Sequence, residues 1–439
     1  MAFADAPGAR RSSASPISSS FSFSSSSCSF LLFSVFIFFV VFPLVPRVAA
    51  QPPRGYIGLA ENGSRLLINP PADGDVVVDG VEFRGLLATL DAQTRAMQAL
   101  AQRVEALERV GGQLTVDTAT IAVMSGDNKW ADGVAAGDGK IYGIPSSATV
   151  VLVIDPATQS ADATSIVGLP AGHGKWRRGL LANNGKVYGI PFSATAVLII
   201  DPVTGTADVQ ALAGLSADSG KWSGGVQAGN GLIYGIPHMS TSVLIIDPET
   251  NTTDVTTISN LPTHESGAWI DGVLAANGKI YGVPAYASSV LVIDPATNSV
   301  DTTTMSGVPQ APGLKAWGAV LGPNNKVYSI PASPTWVLII DPATNATSTS
   351  AITVPTGASK WRGGVLAGDG RIYAVPSTTG GILILDPARN TSDTTTLSGF
   401  DQSRDKWSAA VLARDGRIYG VPHDEDAVLV IGRLVTTRV

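Results

Sequence analysis

From Leu114 onward, short apolar runs alternate with polar breaks marked by Gly, Pro or Asn/Asp, and the whole pattern is repeated seven times. One unit, Lys175–Pro202, reads "KWRRGLLANNGKVYGIPFSATAVLIIDP". A lean run, "RGLLA", precedes an Asn/Asp-Gly pair of the kind that closes tight hairpins. "KVYGIP" follows and stops at Pro. "AVLII" ends at Asp-Pro, which suits the first two positions of a type I turn. A Thr-rich stretch such as "DTTTMSG" (Asp301–Gly307) comes last, polar enough for an outer edge strand yet β-branched. The pattern predicts four strands per unit. The third does not alternate apolar and polar residues, so both faces of its sheet should be buried.

Seven tryptophans carry the period: Trp130, Trp176, Trp222, Trp269, Trp317, Trp361 and Trp407, spaced by 46, 46, 47, 48, 44 and 46 residues. A tyrosine follows each after twelve residues, or eleven after Trp317, and a proline three residues later. Types that recur in every unit are expected to be structural, so the Trp, Tyr and Pro, with the Asp of Asp-Pro, are assigned to the blades. Periods of this length belong to solenoids and propellers. The seventh unit ends at "VLVIGRLV" (Val428–Val435) without Asp-Pro or a Thr-rich strand, and the missing strand stands at the other end, in "LTVDTATIAVMSG" (Leu114–Gly126). The expectation is an all-β, seven-bladed β-propeller over residues 112–435, its N-terminal strand completing the last blade so that no edge stays open.

With these repeats in view, the chain resembles the kelch-like β-propeller proteins, and is most similar to the "KW..GVLA..GKIYGIP...SVLIIDP.T" type found in algae and other protists. The resemblance covers about Leu114 to Val435. It departs from kelch repeats in having Gly-Ile-Pro where they carry a Gly-Gly pair after the second strand. It implies architecture only, since propellers include lectins, adhesins, scaffolds, hydrolases and lyases.

Upstream the composition changes. Residues 1–50 read as a targeting segment: Arg10 and Arg11, an apolar run from Phe30 to Val45, then small residues at Val48 and Ala50. The pattern fits a secretory signal, with an uncleaved membrane anchor or a Ser-rich organellar transit peptide as alternatives. Residues 51–85 form a linker with a strand or hairpin at Gly74–Phe83. Over residues 86–110 the positions Leu86, Leu90, Gln93, Met97, Leu100, Val104 and Leu107 follow a 4-3 spacing, predicting a coiled-coil stalk of roughly 34 Å that would make the protein a homo-oligomer; a helix packed on the neighbouring domain is the alternative. Sequons begin at Asn62, Asn251, Asn345 and Asn390, the last three at one equivalent turn of the repeat. They are candidate glycosylation sites for an exported, secreted or cell-surface chain.

Composition removes several classes of function. With a net charge of −6 and no basic stripe, nucleic acid is not expected as a partner. Cys28 is the only cysteine, so nothing downstream can form a disulfide framework, a Cys-ligated zinc site or a thiol nucleophile. The four histidines are spread over several blades, and neither metal nor cofactor is expected.

Candidate site residues are sought where the repeats differ. The loops between second and third strands, and those from fourth strand to next blade, open on one side of a propeller. There the expected ligand-binding residues are Phe192, His238, Met239, Tyr286, Trp336, His423 and Asp424, with Arg177 and Arg178 just after their tryptophan. Asp132 and Asp271 hold similar positions where other units have Gly or Ala. The aromatics suggest stacking on sugar rings or anchoring of a peptide. The runs "GVAA", "GLLA", "GVQA", "GVLA", "AVLG", "GVLA" and "AVLA", read as the first strands, offer no paired carboxylates, and Gln227 is their lone polar departure. The expected function is therefore recognition of glycan or extracellular protein on the loop face, multivalent through the stalk. A channel lyase or hydrolase, and a scaffold without small ligand, are the alternatives.

Overall fold

Each repeat folds as a four-stranded antiparallel meander, and seven of these sheets make up the propeller. The computed structural model describes residues 114–433, and upstream the four strands Tyr56–Leu59, Leu66–Asn69, Val77–Val78 and Val81–Glu82. The upstream strands pair as two antiparallel hairpins, the second within the expected Gly74–Phe83 segment. The targeting segment, the 86–110 stalk and Asn62 lie outside the described residues. Among the described residues no helix is long and apolar enough to cross a membrane.

Blade 2 illustrates the plan: Trp176–Leu181 innermost, then Val187–Pro191, Leu198–Asp201 and Thr206–Asp208. In blade 7 the outer strand is Leu114–Asp117, paired antiparallel to Leu429–Arg433 through Asp117↔Val430 to Leu114↔Arg433. The first strand of the propeller thus closes its last sheet.

Seven hydrophobic clusters fill the seven interfaces between neighbouring blades. Six tryptophans, each at most 3% exposed, occupy these clusters and donate their indole N–H to the carbonyl twenty residues on: Val150, Ala196, Ser242, Ser289, Gly381 and Ala427. The repeated tyrosines are anchored too, each hydroxyl bonding the Asn or Asp four residues earlier in the hairpin turn, as in Tyr188–Asn184 at 2.9 Å and Tyr419–Asp415 at 2.9 Å. Six buried lysines directly before the Trp position (Lys129, Lys175, Lys221, Lys315, Lys360 and Lys406) tie neighbouring loops together. Lys360 Nζ, for example, donates to the carbonyls of Ala332, Pro334 and Gly357.

Two expectations are corrected. In blades 1–6 the outer strands are three residues long and lie earlier than the Thr-rich stretch, at Ser299–Asp301 in blade 4 rather than Asp301–Gly307. The Asp301 carboxylate accepts the backbone N–H of Thr303 (2.8 Å) and Thr304 (3.0 Å), so the chain turns out of the ladder. Asp117, Asp208, Asp254 and Asp393 do the same, and the N-terminal strand therefore ends at Asp117 rather than running to Gly126. The second correction concerns Trp317. It is not the structural tryptophan of blade 5, because Ala316 pairs with Pro331 where the other blades pair Trp with Pro. The run Lys315-Ala316-Trp317 has slipped the indole one residue along, onto the opposite side of the strand.

Close approach of the inner strands explains the Gly-flanked runs. A Cβ on Gly179, Gly225, Gly272 or Gly364 would fall 2.5–2.6 Å from Ile144, Ile190, Ile236 or Ile330 of the preceding blade. Where the preceding residue is the shorter Val283 or Val375, Ala319 or Ala410 replaces the glycine, whereas Gly133 is kept against Val421, whose Cγ2 would stand 2.4 Å from a Cβ there. Gly272→Ala is expected to cost about 1–3 kcal/mol by overpacking, and Ile236→Val alone about 0.5–1.5 kcal/mol. Because the valine removes the colliding Cδ1, the double variant should lose less than the sum. Additive losses in a denaturation cycle would refute the coupling.

The sequon residues Asn251, Asn345 and Asn390 sit exposed in the turns between third and fourth strands, each at φ 52°. This left-handed position favours Asn and Gly, and Gly205 (φ 66°) takes it in blade 2. These turns lie at the end of the strands opposite the candidate loops.

Candidate functional site

On the side where the second-to-third and blade-to-blade loops open, the residues following the Trp position converge around the propeller axis: Ala131, Arg177, Ser223, Ile270, Trp317, Arg362 and Ser408. They line a cup of about 190 Å³, walled higher up by Asn128, Ser146, Ser147, His173, Phe192 and His423. Its position follows from an irregularity of the inner strands, whose register shifts directly after the Trp position, between Trp176 and Gly179 in blade 2, and such a bulge re-aims the adjoining side chains.

Arg178 closes the floor. It reaches across the axis to Asp132 Oδ1 (3.3 Å) in blade 1 and Asp271 Oδ2 (3.2 Å) in blade 4, and donates to the Trp317 carbonyl in blade 5. Each carboxylate also accepts a backbone N–H, Asp132 from Gly179 and Asp271 from Ala319. Small residues make the crossing possible, since a Cβ on Gly318 would stand 2.7 Å from the Arg178 Nη2. Burial raises the Asp132 carboxyl even against Arg178, whereas on Arg178 the lowering effect of burial is outweighed by Asp271 and Asp132, and its pKa is raised.

Above this floor lies a cationic and aromatic stack. The Arg177 guanidinium sits 4.3 Å from the Phe192 ring centre and 4.8 Å from that of Trp317, and Arg362 lies 4.4 Å from Trp317. Arg362 pairs with Asp405 (Nη2–Oδ2 2.6 Å), whose other oxygen accepts the Ser377 hydroxyl. Burial first, then Arg362 and Arg178, pushes Arg177 down to about 9, and it stays cationic at neutral pH. Only three buried side-chain polar atoms lack a hydrogen-bond partner among the described residues: Ser223 Oγ, Trp317 Nε1 and Arg362 Nε. All three residues line the cup.

The structure thus brings Arg177, Arg178, Phe192 and His423 of the expected residues to one cavity. His423 is fixed by a 2.6 Å contact from Nδ1 to Asp424 Oδ1, which also accepts the Asn128 N–H; burial lowers its pKa. His238 packs against Phe192 (5.5 Å between ring centres) and bonds the Trp269 carbonyl. Burial, reinforced by Arg177, pushes it down to about 4, so it is neutral at pH 7. Met239, Tyr286 and Trp336 do not line the cup. Met239 is exposed, Tyr286 stacks on His264, and Trp336 packs on the blade 4–5 cluster that contains Ala316. Gln227 points elsewhere, bonding Asn183 and Gly231 at the hairpin turns.

Trp317, Arg362 and Ser223 were not singled out from the sequence. The eleven-residue interval between Trp317 and Tyr328 was the available signal for the first. Among the described residues no group of His, Asp and Glu has the arrangement to hold a metal ion.

No family model matches the chain, and no curated protein matches it either. Solved structures do. A catalytically inactive virginiamycin B lyase from Staphylococcus aureus, solved with quinupristin, is 12% identical with a TM-score of 0.60 over 74% of this chain and all of its own. A streptogramin B lyase is likewise 12% identical, with a TM-score of 0.57 over 73% of this chain and 98% of that one. The extracellular domain of a protein described as a hybrid two-component system of B. thetaiotaomicron gives 0.53 at 10% identity, over 74% of this chain and 43% of that one. At such identities the likeness is one of fold.

Proposed function

We propose that this propeller is an extracellular recognition module that binds a saccharide group in the central cup. The observation that carries the reading is that the three residues holding an unpartnered buried polar atom among the described residues, Ser223 (Oγ), Trp317 (Nε1) and Arg362 (Nε), all line one cavity. Unsatisfied buried donors cost about 1–3 kcal/mol each, and a ligand rich in oxygen atoms relieves that cost. Phe192 and Trp317 supply flat apolar surface beside them, the combination expected of a site for a ring carrying hydroxyls. The volume is below the roughly 300–1,000 Å³ of sites that engulf a drug-sized ligand, which suits capture of one terminal residue. Export agrees with the signal-like segment and with the sequons on the opposite face, and oligomers through residues 86–110 would strengthen weak single-site binding.

The test is a glycan array probed with the full-length protein and with Trp317→Phe, which keeps the ring and loses the N–H. Binding weakened about 10–100-fold in the variant is expected from loss of a buried hydrogen bond. If the folded wild type binds no saccharide, or Trp317→Phe binds as well as the wild type, the reading fails.

A channel enzyme is the second reading, favoured by one observation: His423, on the cup wall, is oriented by Asp424 at 2.6 Å, as a general base would be. Turnover of a bound saccharide, lost in His423→Gln with binding retained, would replace the first reading by this one.

A further inference from the structure

We infer that the cup selects an oxyanion-bearing sugar, and that Arg177 is the residue that sets this preference. The inference rests on the saccharide reading above and goes further by fixing the charge of the group bound. Three guanidiniums enter the cup, and two are neutralised within the protein: Arg178 by Asp132 and Asp271, Arg362 by Asp405. Arg177 has neither an ion pair nor a hydrogen bond among the described residues. Burial and the like charges of Arg362 and Arg178 weigh against its cation, with Tyr286 acting the other way. A cation held in a confined site without a counter-ion is costly, and the contacts of Arg177 with the Phe192 and Trp317 rings offset only part of that cost.

The way Arg177 is held indicates what would. Its guanidinium carbon lies over the Phe192 and Trp317 rings, and a guanidinium stacked on aromatic faces keeps its in-plane N–H groups for a ligand. A guanidinium presents paired donors matched to two oxygens of a carboxylate or sulfate. The neighbouring unpartnered groups, two N–H donors and one hydroxyl, also call for acceptors. A neutral sugar would offer hydroxyls to these groups but leave the Arg177 charge uncompensated. An acidic sugar would satisfy both.

The measurement is calorimetric titration of the full-length protein with three matched oligosaccharides, ending in glucuronate, in glucose and in a sulfated glucose. It is run on wild type, Arg177→Gln and Arg177→Lys, with thermal melts to confirm folding. The wild type is expected to bind at least one of the two acidic forms tenfold or more tightly than the neutral one, with a preference that shrinks as salt rises. Arg177→Gln should remove the preference, and Arg177→Lys, which keeps the charge but not the fork, should retain part of it. Whether glucuronate or sulfate is held more tightly distinguishes the two sources of the oxyanion. Equal affinity for acidic and neutral forms, or a preference that survives in a folded Arg177→Gln, overturns the inference. Neutral binding that still depends on Trp317 would leave the saccharide reading standing, whereas absence of all binding removes both.

Discussion

Arg178→Met is expected to destabilise the propeller by about 3–5 kcal/mol, the cost of breaking a buried ion pair by removing one partner. The substitution nearly keeps the volume and removes the one cation paired with Asp132 and Asp271 among the described residues, leaving two carboxylates confined near the axis. The loss should depend on pH with a definite sign. Burial already raises the folded-state pKa of Asp132 above its unfolded value, and without Arg178 it rises further. A carboxyl whose pKa is higher in the folded state binds more protons there, so folding is favoured at low pH and weakened as pH rises through that window. The variant should therefore be closest to wild type near pH 4–5 and weakest above neutrality. Adding Asp132→Asn and Asp271→Asn should recover most of the loss, because an amide oxygen still accepts the N–H groups of Gly179 and Ala319. A variant whose denaturation midpoint shows the same deficit at pH 4.5 and pH 8 would contradict this account.

The second large effect concerns ring closure. A chain begun at residue 112 should keep the propeller, whereas one begun at residue 119 lacks Leu114–Asp117 and with it the outer strand of blade 7. Leu114 and Val116 pack, partly buried, on the blade 6–7 cluster; losing that burial costs about 1 kcal/mol each, less than the roughly 1.5–3 kcal/mol of a fully buried side chain, and the exposed edge of Leu429–Arg433 becomes a template for pairing between chains. The shorter chain should melt at least several degrees lower and associate at concentrations where the longer one is monodisperse. Equal melting curves would show that the closing strand contributes nothing.

The architecture was open to reading because the chain repeats itself. The blade count, the closing strand and the burial of the third strands all follow from comparing the units with one another. The errors came from the same comparison applied to residue type instead of position. Trp317 was grouped with the other tryptophans by identity, although Lys315, one step early, marked the slip. The Asp at the end of each outer strand was read as part of a Thr-rich strand because its capture of two backbone N–H groups is a matter of local geometry. For the cup, Arg177, Arg178 and Phe192 were visible as departures from the repeat. The partners that give them meaning were not: Arg178 meets a carbonyl 139 residues away, and only the curvature of the closed ring brings the two together. Ser223 and Arg362 were invisible for a related reason, since an unpartnered atom can be recognised only when its surroundings are known.

The closing strand also imposes an order on biosynthesis. Leu114–Asp117 leaves the ribosome first among the propeller strands, and its partner, Leu429–Arg433, leaves last. At about 5–20 residues per second, the first strand waits roughly 15–60 s for the second. During that interval blades 1–6 can form their own sheets, but the growing array has two raw ends. A message truncated anywhere before Leu429 yields a chain that can never close, so that completeness of the polypeptide is tested by the fold itself.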